Sequence, residues 1–183
     1  AEAGTKSVFV DMDLRKSVLS DKDELSLDDK KEIKGTSHYL ASDYPLSEAI
    51  YKTDLEYGDF MPNVDNVINP SMLLESERFE QMLKDLEKEY RYVFVDSPPL
   101  DLVSDGEKIG SLCDGAILVV RGGMTSKGIV RNSIRQLERA GCPLLGIVLN
   151  RVESAKGGYY YKKYGGSKYY GNKYYTDPYY YKS

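Results

Sequence analysis

The sequence is poor in the residues that build metal cages and disulfide frameworks, with one histidine and two cysteines in 183 residues. His38 has no companion at metal-ligand spacing, so we expect it to serve as a loop or packing residue. Cys113 and Cys142 lie far apart beside apolar segments, a pattern that fits reduced, partly buried thiols of a cytosolic protein better than a disulfide pair. No apolar run approaches the ~18 residues needed to cross a bilayer. The opening AEAGTKS has no signal-peptide apolar region, so the expected setting is cytoplasmic. The chain starts on Ala1 rather than Met, which we expect to mark a cut end. Also missing is apolar periodicity between Asp21 and Lys34 (DKDELSLDDKKEIK). Its acids lack the glycine that a calcium loop needs at its sixth position, and we expect an exposed loop.

What is abundant is tyrosine, and it is unevenly placed. Eleven of the 17 tyrosines fall after Gly158, at Tyr159, Tyr160, Tyr161, Tyr164, Tyr169, Tyr170, Tyr174, Tyr175, Tyr179, Tyr180 and Tyr181. From Lys156 onward six lysines stand against Asp177 alone, giving the tail +5 and leaving −9 on the body of a chain whose net charge is −4. An acidic body argues against a nucleic-acid partner. Gly, Lys and Tyr cannot form a packed core, so the division expected is one domain over residues 1–155 and a flexible tail over 156–183. Taken alone, such a tail also suits a sticky aromatic segment that binds polymers or partners.

The body alternates two patterns. Ser7–Val10 (SVFV), Tyr92–Val95 (YVFV), Ala116–Val120 (AILVV) and Leu144–Leu149 (LLGIVL) are continuous apolar runs, which suggest strands buried on both faces. Between them, Phe79, Met82, Leu83, Leu86 and Tyr90 recur at helical spacing, as do Val130, Ile134 and Leu137. Ser71 and Thr125 are the expected N-caps, and Gly141 followed by Pro143 ends the second helix. Alternation of this kind predicts the α/β class with a largely parallel sheet.

Ligands of open parallel sheets bind at the carboxyl ends of the strands. Two of the predicted strands end there in aspartate: SVFVDMDLRKS carries Asp11 and Asp13, with Arg15 beyond, and YVFVDSPPL carries Asp96. Rigid carboxylates at strand tips can hold Mg²⁺ through its retained water shell.

These segments resemble the bacterial tyrosine kinases, P-loop-type autokinases of capsule and exopolysaccharide synthesis. VFVDMDLRK is similar to the family's modified second Walker motif and FVDSPP to its Walker B. GTSHYL, NPSMLLESERF, SDGEKIGSLCDGAILVVRGGMTS and GIVLNRV resemble further family segments in the same order, so the resemblance covers nearly the whole chain. It implies a mostly parallel Walker-type sheet flanked by helices, with ATP and Mg²⁺ as cofactors and transfer of the γ-phosphoryl group to tyrosine as the activity. Asp13 and Asp96 would hold the Mg²⁺ shell, and Asp11 would accept or orient the phenol proton, with the division between Asp11 and Asp13 open. Arg15 would anchor the turn or face a phosphate, while Asn150 and Arg151 would meet the adenine or serve plain loop roles. The implied partners are other copies of the chain, in a ring that phosphorylates in trans, and a membrane-bound polysaccharide co-polymerase that recruits it to the inner face of the cell membrane.

The family's phosphate-binding loop, GxxxxGK[ST], occurs nowhere in the 183 residues. GGMTSKG at Gly122–Gly128 has the wrong order of Gly and Lys. The expectation is therefore a kinase domain without its first strand, phosphate loop and first helix, inactive alone. Two rival readings remain open: an ATPase switch or scaffold of the partitioning type, and a chain that serves only as substrate for an intact kinase.

Overall fold

The computed structural model describes residues 4–17, 19 and 33–152. The tyrosine-rich tail, Tyr159 to Tyr181, and residues 21–32 of the acidic stretch lie outside the described residues. In chain order the elements are β1 (Ser7–Asp11), α1 (Thr36–Ala41), a 3₁₀ turn (Leu46–Glu48), β2 (Tyr51–Lys52), β3 (Gly58–Met61), α2 (Pro70–Leu74), α3 (Glu77–Glu89), β4 (Tyr92–Asp96), α4 (Asp105–Gly110), β5 (Ala116–Arg121), α5 (Lys127–Arg139) and β6 (Leu144–Asn150). All four strands expected from the apolar runs are present. β2 and β3 are additional; their short, mixed sequences YK and GDFM carry no run long enough to register.

The sheet is mostly parallel and lies in two pieces. One has the order β2-β3-β1-β4 and the other pairs β5 with β6. β1 runs parallel to both β3 and β4, β5 runs parallel to β6, and only the short β2 is antiparallel to its neighbour. Among the described residues no ladder joins β4 to β5.

The helical periods hold. Phe79, Met82, Leu83 and Leu86 of α3 are buried, and they share one cluster with Val8 and Val10 of β1, Met61 of β3, Leu74 of α2 and Ile109 of α4. Tyr90, read as part of this stripe, caps the helix and is itself buried, its hydroxyl donating 2.7 Å to Asp59 Oδ2, which also receives Lys52 Nζ at 2.8 Å. The expected N-caps both shift. α2 is capped at Asn69 with Pro70 in its first position, a role that suits the ring's fixed φ, and α3 starts after Ser76. Ser126, not Thr125, caps α5 and accepts the Ile129 N–H at 3.2 Å; the Thr125 hydroxyl instead accepts the Arg121 N–H. Gly141 closes α5 at φ 73°, the left-handed conformation that glycine takes without a Cβ penalty.

One expectation fails. The strands are buried on one face only. Val8 and Val10 are 1% and 0% exposed, but Phe94, Ile117, Val119, Leu145, Ile147 and Leu149 are each more than half exposed. Period-2 alternation explains the split, since the helices of the core cluster cover the face that Val8 and Val10 share and leave the alternate residues bare.

The contrast is measurable by urea unfolding. Phe79→Ala should cost about 3–5 kcal/mol, the usual cost of emptying a fully buried aromatic site. Ile147→Ala, on the bare face, should change stability of the same chain by about 0.5 kcal/mol or less.

Candidate functional site at the tips of β1 and β4

Parallel pairing places Asp11 directly opposite Asp96, and the backbone bond from Met12 N to Asp96 O at 2.9 Å carries the ladder one step beyond the strand. The turn that follows β1 is then held from several sides. Asn63 Nδ2, from the segment after β3, donates to Asp13 O at 3.0 Å, and Val67 N donates to Leu14 O at 2.7 Å. Within the turn, Asp13 Oδ1 accepts the backbone N–H groups of Arg15 at 3.2 Å and Lys16 at 3.0 Å. Short acidic side chains favour such local bonds to the N–H groups that follow them, which is why DMDLR forms a fixed turn and not a helix start.

The two aspartates of DMDLR differ sharply in environment. Asp11 is 0% exposed. Its Oδ1 accepts the Asp13 N–H at 3.1 Å, and its Oδ2 accepts the Ser17 hydroxyl. Burial pushes its carboxyl up to about 6, the Ser17 and Asp13 donors hold it down in part, and the Asp96 charge adds to the rise. Asp13 is only partly buried. Asp96 is likewise half-buried and titrates above the usual carboxylate range, first through burial and then through the charge of Asp13. The site thus gathers carboxyl groups of which Asp11 and Asp96 are both shifted upward, chiefly by burial.

Arg15, partly exposed, reaches toward α4. Its Nε donates 2.6 Å to Asp105 Oδ2 and an NH2 group donates 3.1 Å to Oδ1, and Asp105 is 3% exposed. α4 itself is seated close to the segment after Asp96. A Cβ on Gly106 would stand 2.7 Å from Leu100 Cδ2 and 3.5 Å from Pro98 O, so glycine permits the approach.

Asn150 and Arg151 end β6, in the other piece of the sheet. Both are exposed; Arg151 has φ 51° and its N–H is bonded to Asn150 Oδ1 at 2.8 Å. The structure therefore gathers Asp11, Asp13, Arg15 and Asp96 in one place and sets Asn150 and Arg151 at a separate strand tip. His38 lies in α1, with Nε2 3.3 Å from Asp65 Oδ2. Cys113 and Cys142 are free thiols, both shifted upward by burial.

Three neighbours of the site escaped the reading of the sequence. Ser17 closes the DMDLRKS stretch, six residues from the carboxylate it serves. Asn63 belongs to no motif. Asp105 follows Ser104 at the start of a helix, where an acid is ordinarily explained by the helix dipole alone.

The donor set fits a hard divalent cation. Carboxylate oxygens dominate, and the half-exposed Asp13 and Asp96 retain access to solvent. Among the described residues no three His, Cys, Asp or Glu side chains converge on a direct metal cage. That suits Mg²⁺, which is held by one or two carboxylates and keeps its waters, better than zinc.

The chain is similar to the tyrosine-protein kinase CpsD of Streptococcus agalactiae, with 32% identity over 166 residues, 90% of this chain and 71% of that protein. In structure it is similar to the kinase domain of the Escherichia coli tyrosine kinase ETK, with a TM-score of 0.75 and 29% identity over 92% of this chain and 63% of that one. It also resembles the septum site-determining protein MinD of Pyrococcus horikoshii, solved with Mg-ADP, with a TM-score of 0.67 and 26% identity over 85% of this chain and 61% of that one. No protein-family model matches the chain.

The Asp11 shift carries a stability consequence. The penalty for its charged form is absent below the unfolded value near 3.8, grows as pH rises, and is complete above about 6, on the order of 3 kcal/mol. Asp11→Asn removes the charge, keeps an oxygen for the Asp13 N–H, and leaves an amide N–H to donate to Ser17 Oγ in place of the bond it accepted. It should raise stability by about 1–3 kcal/mol at pH 7.5 and by much less at pH 4, as read by thermal unfolding at the two pH values.

Proposed function

The chain belongs to the bacterial tyrosine kinases, and from that membership we propose that it carries the metal-binding and proton-handling half of an ATP-dependent autokinase that phosphorylates its own C-terminal tyrosine cluster. The observation that carries the reading is the register of β1 and β4, which sets the DMDLR turn beside Asp96 with three carboxyl groups at one edge of the sheet. A phosphoryl transfer site needs positioned negative charge for Mg²⁺ and a group to manage the proton of the incoming hydroxyl.

Bound there, Mg²⁺–ATP would supply the γ-phosphoryl group and the positive charge that offsets it. Asp13 and Asp96, the half-exposed pair, would hold the water shell of the ion. Asp11 accepts or orients the phenol proton. A carboxyl group that titrates at about 6 suits a group that must both take up and release a proton near neutrality. A phenol that reaches it takes the place of the Ser17 hydroxyl. Arg15 anchors the turn, and Asn150 and Arg151 meet the adenine.

The break between β4 and β5 supports a phosphate loop contributed from outside these residues. A parallel strand inserted there would join the two sheet pieces, and a helix following it would cover the bare face of Phe94, Ile117, Val119 and Ile147. Loss of that loop removes several charge-assisted hydrogen bonds, each worth roughly 1.5–3 kcal/mol, so the 183 residues alone bind ATP poorly.

Residues 1–155 form the kinase part and 156–183 the tethered substrate. From Gly157 a coil of this length spans about 30 Å, with an extended limit near ~90 Å, enough to reach a neighbouring copy. Each phosphotyrosine adds about −1.5 to −2 charges, so three modifications roughly cancel the tail's +5, and further ones turn a tail drawn to an acidic body into one repelled by it. Phosphorylation in trans within a ring, release on modification, and recruitment to the inner membrane face by a polysaccharide co-polymerase complete the proposal, with capsule or exopolysaccharide synthesis as its setting. The likeness to MinD favours one rival, a nucleotide-driven switch that phosphorylates nothing; the tyrosine tail is the feature such a switch would not need. In the remaining rival the chain is only a substrate.

Phosphotyrosine mapping after incubation with Mg²⁺–ATP, with and without a copy that carries the phosphate loop, separates these readings. In the full-length protein Asp13→Ala and Asp96→Ala should each abolish tail phosphorylation, and retained activity in both overturns the assignment. Calorimetric titration of the 183-residue chain should reveal no micromolar affinity for ATP.

A further inference from the structure

Asp105 is a buried charge that the proposed chemistry does not use. A carboxylate withdrawn from water to this depth costs several kcal/mol unless it is paired and hydrogen-bonded. Arg15 meets the need with two bonds, at 2.6 and 3.1 Å, a fork geometry that lysine cannot reproduce. The pair spans 90 positions of sequence, from the turn after β1 to the start of the helix after β4. Each end is rigidly attached to the acids of the site. The Arg15 backbone N–H donates to Asp13 Oδ1, and Asp105 begins a helix whose Gly106 is pressed against Leu100 and Pro98, a few residues beyond Asp96.

We infer that Asp105 is a positioning residue, which acts through Arg15 as a strut that fixes the Asp13 carboxylate relative to Asp96 and so sets the site's hold on a hydrated divalent cation. The inference rests on the kinase reading for the identity of that cation. Asp13 and Asp96 are like-charged side chains at the ends of neighbouring strands, one in the turn after β1 and one at the tip of β4, so something must resist their separation. The β1–β4 ladder does so at the level of backbone. The strut does so beyond the strand ends, where Asp13 sits and the ladder has stopped. A capping acid would look outward to the helix N–H groups; Asp105 instead gives both oxygens to a side chain from the other strand's turn.

The test uses the full-length protein with Asp105→Asn and Arg15→Lys, the second of which leaves the buried carboxylate a positive neighbour and so preserves folding. Partners that orient ligating carboxylates typically control metal affinity by about 10–100-fold. The Mg²⁺ concentration for half-maximal nucleotide binding should rise about tenfold or more in both variants, with the ATP KM at saturating Mg²⁺ within about threefold of wild type. Amide hydrogen exchange, which needs no ligand, should speed up at Arg15 and Lys16 and remain unchanged in the middle of α3. The assignment is overturned if the Mg²⁺ midpoint and exchange at Arg15 and Lys16 stay at wild-type values, or if exchange rises equally in α3 with a matching fall in melting temperature. Wild-type protein that binds Mg²⁺–nucleotide but phosphorylates no tyrosine would defeat the kinase reading and leave the strut to be judged by the same two measurements.

Discussion

Like charges held side by side govern the architecture of the site. Asp11, Asp13 and Asp96 sit at the tips of two hydrogen-bonded parallel strands, and their mutual repulsion grows as solvent is excluded. The surrounding contacts are responses to that repulsion. Backbone N–H groups and the Ser17 hydroxyl point at the carboxylates, Asn63 and Val67 tie down the turn, and Arg15 reaches across to a fourth acid, the buried Asp105. The arrangement is an anionic cluster whose stability improves when a cation or a proton enters. Function and fold therefore pull against each other at Asp11, the least exposed of the three.

The remainder of the body has the opposite character. Its core cluster covers one side of β1, β3 and β4, while β4, β5 and β6 present large aliphatic and aromatic side chains to solvent. Parallel sheets are ordinarily covered on both faces, and here one face of β4, β5 and β6 is left bare. The site lies at the carboxyl end of the four-stranded piece, beside its edge strand β4.

Much of this was legible in the residues themselves. The four apolar runs became strands, the α3 stripe became the core, and the two aspartate-tipped strands proved to be neighbours in register, because each of these rests on a pattern repeated over several residues. What escaped was single-residue and long-range. The cap of α2 went to Asn69, since Pro70 makes a better first helical residue than a hydroxyl three positions into the pattern. The pairing of Arg15 with Asp105 joins residues that no local period connects. Burial of both strand faces failed as an expectation because a continuous apolar run reports what a strand is prepared to pack against, not what is there to pack.

The small network at the other end of β3 bears on which phenols such a protein exposes to its own chemistry. Tyr90 lies inside the core with its hydroxyl committed to Asp59, and burial followed by that carboxylate pushes its pKa upward, so the oxygen stays protonated and turned inward. Tyr51 is engaged too, its hydroxyl bonded to the backbone of Lys34. Tyr51 and Tyr90 thus serve as masonry, their oxygens already in use, whereas Tyr57 and Tyr92 are exposed.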